Sequence, residues 1–484
     1  MTEGQHGMAG KRHVILYELN EVPWSVVDYY IDKRPSSNLA ALIDTGHSLT
    51  TVHEDRFHLM PWRTWPTLHN STYDHNSFDL GQDPATFRGD PIWDVAEKGG
   101  LSVGLFGPLQ SWPARQFAHG GFCIPDTFSK DSKTYPASLS RFQGFNLAMT
   151  TENGFSSDAA LDAKMLAGTG IDLLRRGLTP KSVSTLLAHL ARERKDGRYK
   201  ALRPAMQVLP GFDLYWRLHR EHQPRLSIFF TNHVASMMHR FWGDAMPGYT
   251  DTHDYAPDDV YSEFMTTAMD FSDRQLGRIR KYIAAHPDAM LVVAASMGQG
   301  PVEGKLSDGL FVLEDHTKLV RSLGLQTAEL GPTMYPHVCL AFANEAAAEE
   351  AVAPLESVII DGVGHLFNNV RLEGKTVTFA IDNAVDSPGA TVDMSSRLQF
   401  RPAGDQDVVS ATAADFGLAF RTRLGGHNTA YHTPDGMLLA YGSGVPPDSS
   451  RKDVDVLDVA PSLLVNVLGV EPAASMQGAP SLFG

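Results

Sequence analysis

A chain of 484 residues with 43% hydrophobic content has enough material for one large globular domain with insertions, or for two modest ones. Its net charge of −15 excludes a nucleic-acid backbone as the main partner, because such binding needs clustered Lys and Arg, and the basic runs stop at Lys11-Arg12, Arg175-Arg176 and Arg192 to Lys195. Two distant cysteines, Cys123 and Cys339, exclude a disulfide framework and a cysteine zinc site, and no run approaches the roughly 18 apolar residues of a membrane span.

The opening MTEGQHGMAGKRH lacks the apolar core of a secretory signal, so a cytoplasmic location is expected. The first strong element is the apolar run 13–19, which ends in Asn20-Glu21-Val22-Pro23 and predicts a buried parallel strand with polar groups at its C-terminal end. Open α/β sheets place their ligands there, which makes Glu18, Asn20 and Glu21 the first site candidates. Further strands are expected at 101–106, 226–231, 290–295 and 437–441, with helical patterns at 92–98 and 261–285, and this alternation implies a parallel sheet.

Two stretches break the alternation. Between 156 and 222 the leucines fall at helical spacing among many Arg and Lys, which reads as an inserted helical cap. Between 335 and 407 an Ala/Glu-rich helix at 344–355 mixes with short alternating strands such as 376–381, which reads as a smaller α+β insertion. The core is then 13–155, 223–334 and 408–478, with the tail beyond at the surface.

Several blocks carry a family resemblance. Val14–Leu19 with its polar end, followed by Pro35-Ser36-Ser37-Asn38-Leu39, resembles the opening of type I phosphodiesterase and nucleotide pyrophosphatase members of the alkaline phosphatase superfamily. Pro61-Trp62-Arg63-Thr64-Trp65-Pro66-Thr67 is similar to their nucleophile segment, with Thr64 at the nucleophile position. Asp74 to Gly81, the Ile92-Trp93-Asp94 helix start, His432-Thr433-Pro434-Asp435-Gly436 and Asp458-Val459-Ala460-Pro461-Ser462 resemble further blocks in the same order. The resemblance implies an α/β fold of the alkaline-phosphatase kind: a mostly parallel sheet sandwiched by helices, carrying a two-metal hydrolase site.

Departures from that pattern fall on the metal ligands. The first-strand Asp aligns with Asn20, a poor ligand for a divalent cation, although Glu18 or Glu21 would serve if the strand end is shifted. The "D-x-x-G-H" segment aligns with Ala235 to His239 and keeps only the histidine; the "S-D-H-G" turn aligns with Ala295-Ser296-Met297-Gly298 and loses both its Asp and its His. His239, His432 and one of the carboxylates suffice for one divalent metal, zinc or manganese, and a metal-free site is the alternative.

Each remaining candidate has a plainer reading beside the functional one. Thr64 is a nucleophile or a turn-capping hydroxyl. His69 and His75 are a general acid and base or hydrogen-bonded loop histidines. Asn232, His233, Arg240 and Trp65 are substrate contacts, with Arg240 suited to a phosphate or sulfate fork, or else elements of packing. The blocks Glu18-Leu19-Asn20-Glu21, Pro61 to Trp65 and His233 to Trp242 also resemble an uncharacterised branch of the superfamily that occurs in bacterial surface-polysaccharide and specialised-metabolite neighbourhoods.

Two functions follow. One is a phosphodiesterase-, phosphatase- or sulfatase-like hydrolase or group transferase with a reduced site, acting on an anionic small-molecule or glycan-linked ester. The other is an inactive relative that binds an anionic ligand or a partner protein in a biosynthetic pathway. The polar, histidine-rich character of the replacements favours the enzyme; a homo-oligomer is compatible with either.

Overall fold

Strand β1, His13–Leu19, is buried from Val14 onward and lies at the centre of an eight-stranded sheet. The computed structural model describes residues 12–152, 173–302, 310–331, 337–381, 394–421 and 428–484, apart from 57, 58, 79, 81, 362 and 406. Contacts divide the chain into two units, the first taking the described residues of 1–148, 160–304 and 428–484, the second those of 149–159 and 305–427.

The remaining strands of the first unit are β2 (His47–Val52), β3 (Val103–Phe106), β4 (Gly121–Ile124), β5 (Leu226–Thr231), β6 (Ala289–Ala294), β7 (Gly298–Pro301), β8 (Ala430–Thr433), β9 (Asp435–Gly442) and β10 (Asp448–Asp455). The large sheet runs β10-β2-β9-β6-β1-β5-β3-β4, and β7 pairs separately with β8. All neighbours in the large sheet are parallel except β9, which runs against both β2 and β6. Strands covered on both faces must be apolar throughout, and β6, Ala-Met-Leu-Val-Val-Ala, is buried at every position. The mostly parallel sheet between helices that the resemblance implies is present.

Four helices matter for the site and its support: α1 (Pro61–Asn70), α2 (Val208–His222), α3 (His233–Ala245) and α4 (Phe264–Ala285). Proline at the first position of α1 costs no hydrogen bond, and the helix stops at Ser71, whose φ is +50°. Helix α3 starts as soon as β5 ends, so Asn232 stands at the sheet's C-terminal edge. Helix α2 packs Phe212 and Tyr215 against Phe229 of β5, with ring centroids 5.3 and 4.8 Å apart. It therefore flanks the sheet, although it belongs to the stretch 156–222 that reads as a cap. Residues 156–172 of that stretch lie outside the described residues; the rest is helical over Pro180–Lys195, Gly197–Leu202 and Arg203–Met206.

The second unit has its own core of Phe311, Leu340, Leu355, Val377 and Phe379. Strands Phe367–Glu373, Thr376–Ile381, His337–Phe342 and Ala328–Gly331 form an antiparallel sheet. The helix Glu345–Glu356 buries Ala347, Ala348, Ala351 and Leu355, the stripe its sequence spacing provides, and Asn344 Oδ1 accepts from Ala347 N at 3.0 Å to cap it. A second small sheet joins Gly364–His365, Ile359–Ile360, Arg397–Phe400 and Val409–Thr412.

Candidate metal centre

The chain leaves β1 through Asn20 and Glu21, and Glu21 has φ +62°, a conformation that non-glycine residues adopt at an energetic cost. Its carboxylate meets four side chains. Asn20 Nδ2 donates to Oε1 at 2.7 Å, and Gln299 Nε2 donates to Oε2. The same Oε2 lies 3.0 Å from His239 Nε2 and 3.4 Å from His432 Nε2. Burial opposes ionisation of Glu21, but the imidazoles of His432 and His239 outweigh it and hold the carboxyl well below its usual range.

The histidine tautomer decides what belongs between these atoms. His239 Nδ1 lies 3.0 Å from the carbonyl oxygen of Ala430, which can only accept, so Nδ1 carries a proton. In a neutral ring Nε2 is then a bare lone pair aimed at a carboxylate oxygen. That arrangement is repulsive unless a proton or a metal ion stands between them. Ligand atoms of Glu21, His239 and His432 all lie within 4.8 Å of one another. Two ligands about 2.1 Å from a shared tetrahedral ion sit about 3.4 Å apart, so separations of 3.0 and 3.4 Å suit a small divalent cation after slight opening. One carboxylate and two imidazoles are a donor set for zinc or manganese. Among the described residues His432 Nδ1 is buried with no hydrogen-bond partner, and the ring packs 4.5 Å from that of Tyr431 and 5.1 Å from that of His239.

Each ligand comes from a different element: Glu21 from the end of β1, His239 from the second turn of α3, His432 from β8. The His239 side chain is 22% exposed against 3% for Glu21 and 7% for His432, so the centre opens to solvent on the His239 side. Tyr431, 46% exposed, stands on that side with its ring 6.1 Å from that of His239.

Asn20 has its whole amide engaged. Its Oδ1 accepts from Trp65 Nε1 at 2.7 Å, and Nδ2 donates to Glu21 Oε1 and to Asn232 Oδ1, both at 2.7 Å. Trp65 is fully buried, whereas Asn232 is exposed at the mouth of this network. Thr64, in the first turns of α1, is also fully buried, with Oγ1 2.8 Å from Ser296 Oγ. Ser296 and the neighbouring Met297 are both fully buried.

Other candidates lie apart from the three ligands. Glu18 Oε1 is 2.6 Å from His69 Nε2, and the His69 ring stacks on Trp65 at 5.5 Å; both residues are buried. His75 sits between Thr67 Oγ1 at 3.0 Å and the backbone N–H of Ser77 at 2.9 Å, and burial, with Arg63 and His53 nearby, lowers its pKa to about 4. His233 turns into the core, with Nδ1 2.6 Å from Thr231 Oγ1 and Nε2 3.0 Å from the Ala268 carbonyl; burial lowers its pKa to about 3. Buried Arg240 lies over the Phe241 ring and donates to the Ala201 carbonyl at 3.3 Å. Gln299 escaped the sequence reading. The only signal was its position three residues after Ser296, in a turn whose expected ligands had gone.

No protein-family model and no curated protein matches the sequence. Solved structures do match it. Murine ectonucleotide pyrophosphatase/phosphodiesterase 5, in an inactive form complexed with AMP, is similar over 97% of both chains at 11% identity and a TM-score of 0.41. A mutant of the alkaline phosphatase PafA is similar over 98% of both chains at 12% identity and a TM-score of 0.43. The human ectonucleotide pyrophosphatase/phosphodiesterase 5 is similar over 97% of both chains at 10% identity and a TM-score of 0.40. The likeness runs the length of the chain. At such identities it carries no residue's role from one protein to another.

Among the described residues no helix is long and apolar enough to cross a membrane.

Proposed function

We propose that this chain is a divergent member of the alkaline phosphatase superfamily, a hydrolase or group transferase of phosphate or sulfate esters. In this reading one divalent ion is held by Glu21, His239 and His432. What supports it is the convergence of two imidazole Nε2 atoms on one carboxylate oxygen, with the His239 tautomer set by the Ala430 carbonyl. When bound, such an ion supplies Lewis acidity to an ester oxygen.

The chain's own residues define the rest. Glu21 and the two histidines would hold the ion, and the anionic group would approach from the open edge beside His239, where Asn232 and Tyr431 offer polar contacts at the rim. Thr64 remains the candidate nucleophile and would have to release Ser296 to reach an ester.

A second reading is a binding protein without turnover, favoured by the closed Thr64–Ser296 pair and by the saturation of Asn20. In that case a proton on His239 Nε2 takes the ion's place.

Elemental analysis of untagged protein purified without chelator tests the first reading, together with turnover of aryl phosphate mono- and diesters and aryl sulfates. About one zinc or manganese per chain, lost in a His239→Ala/His432→Ala double variant along with ester cleavage, is the expected result. No metal in either protein and no turnover would leave the binding reading.

A further inference from the structure

The three proposed ligands sit on three separate elements, and one residue touches the first ligand and adjoins the elements that carry the other two. Gln299 Nε2 donates to Glu21 Oε2 and lies 3.3 Å from the carbonyl of Ala235, one helical turn before His239 on α3. In the β7–β8 ladder Gln299 is the direct partner of His432. Gln299 is itself buried, and its Oε1 has no hydrogen-bond partner among the described residues. The two acceptor oxygens facing Nε2 settle the amide's orientation: flipping it would set an oxygen against both a carboxylate and a carbonyl. On the other side of Glu21, Asn20 Nδ2 occupies Oε1.

We infer that Gln299 is a positioning residue which, with Asn20, clamps Glu21 between two primary amides, presenting Oε2 to the ion and withholding Oε1. This rests on the one-ion reading above and adds the reason that a carboxylate at a strained turn residue holds one orientation. Each oxygen has its own donor, so the carboxylate cannot swing to offer both. The clamp makes Glu21 a one-oxygen ligand and keeps the coordination number low. A neutral amide also does this without adding negative charge beside Glu21, so it attracts no second cation.

The test is zinc affinity, by chelator competition, and the visible spectrum of the cobalt(II) form, for the full-length chain and for Gln299→Met, which keeps the bulk and removes the donor. Loss of an outer partner of a ligand costs 10–100-fold in metal affinity, so zinc binding should weaken by about that factor. The d–d bands should also lose intensity as Glu21 rotates to offer both oxygens and the coordination number rises. A merely structural role would not change the spectrum of the bound metal. Should the Met variant fail to fold, Gln299→Leu, which also removes the donor without opening a water-sized gap, gives the same two readings.

Unchanged affinity and spectrum in the folded variant would overturn the clamp while leaving the one-ion reading intact. Absence of metal binding by the unsubstituted protein would overturn both.

Discussion

Thr64 Oγ1 and Ser296 Oγ share a hydrogen bond of 2.8 Å in which neither residue is exposed to solvent. The pair joins the candidate nucleophile on α1 to the turn that precedes β7. Removing the Thr64 hydroxyl leaves Ser296 without this partner, at a cost of about 1–3 kcal/mol. Thr64→Ala should therefore lower the unfolding temperature and, if Thr64 attacks the ester, abolish turnover with zinc content unchanged. Ester cleavage that persists in a folded, metal-loaded variant would remove Thr64 from the chemistry.

His233 titrates as a buried neutral imidazole, with its pKa lowered from 6.5 to about 3 by burial, against which the Ala268 carbonyl works. The unfolded chain binds this proton first, so the contribution is fully present above about pH 6.5 and is lost as the pH falls toward 3, at about 1.4 kcal/mol per unit. Replacing His233 by Gln should cost about 1–2 kcal/mol at neutral pH through poorer hydrogen bonding. The gap between the two proteins should narrow as the pH is lowered, in denaturant titrations at several pH values. A gap that stays constant below about pH 6 would show that His233 is not neutral in the fold.

Asp213, buried on α2, collects four donors. Oδ2 accepts from Thr179 N and Thr179 Oγ1 at 2.9 Å and from Ser182 Oγ at 2.6 Å, while Oδ1 accepts from Arg278 of α4 at 2.6 Å. This one carboxylate ties the start of the Pro180–Lys195 helix to two helices of the sheet layer. Asp213→Ala should destabilise by about 1–3 kcal/mol, as expected when buried hydroxyl and N–H donors lose their acceptor, since Arg278 is exposed enough to be hydrated. Limited proteolysis should then cut first between 176 and 203; protection equal to that of the parent would contradict the tether.

Gly298 lies where β7 passes under Asp435, and a Cβ there would stand 2.2 Å from the Asp435 carbonyl oxygen. Gly298→Ala must push β7 away from β9, moving Gln299 with it. We expect a loss of about 1–3 kcal/mol from overpacking, together with weaker zinc binding. Full metal affinity in a stable Ala variant would mean that the turn tolerates displacement.

Much of the frame was legible as chemistry along the chain. A strand buried on both faces is apolar along most of its length, so β1, β5 and β6 read as predominantly apolar runs that end in polar residues, with Glu18 in β1 and Ser227 in β5 as the interior exceptions. The order of the blocks from Val14 to Ser462 likewise pointed to a sheet with its site at the strand ends. Element limits were softer: the expected strand 101–106 begins at Val103, and the expected 290–295 runs from Ala289 to Ala294.

What the sequence by itself determined is therefore the class of fold, the polar edge on which a site can form, and a short roster of groups able to bind a metal. Only the tertiary structure decided how that roster divides. Glu18, Asn20 and Glu21 lie within four positions, yet Glu18 meets His69, Asn20 meets Trp65, and Glu21 alone meets His239 and His432. Alternation along a strand says that neighbouring side chains part company, but not what waits on either side. That depends on the left-handed turn at Glu21 and on helices and strands hundreds of residues away, whose packing no local pattern records.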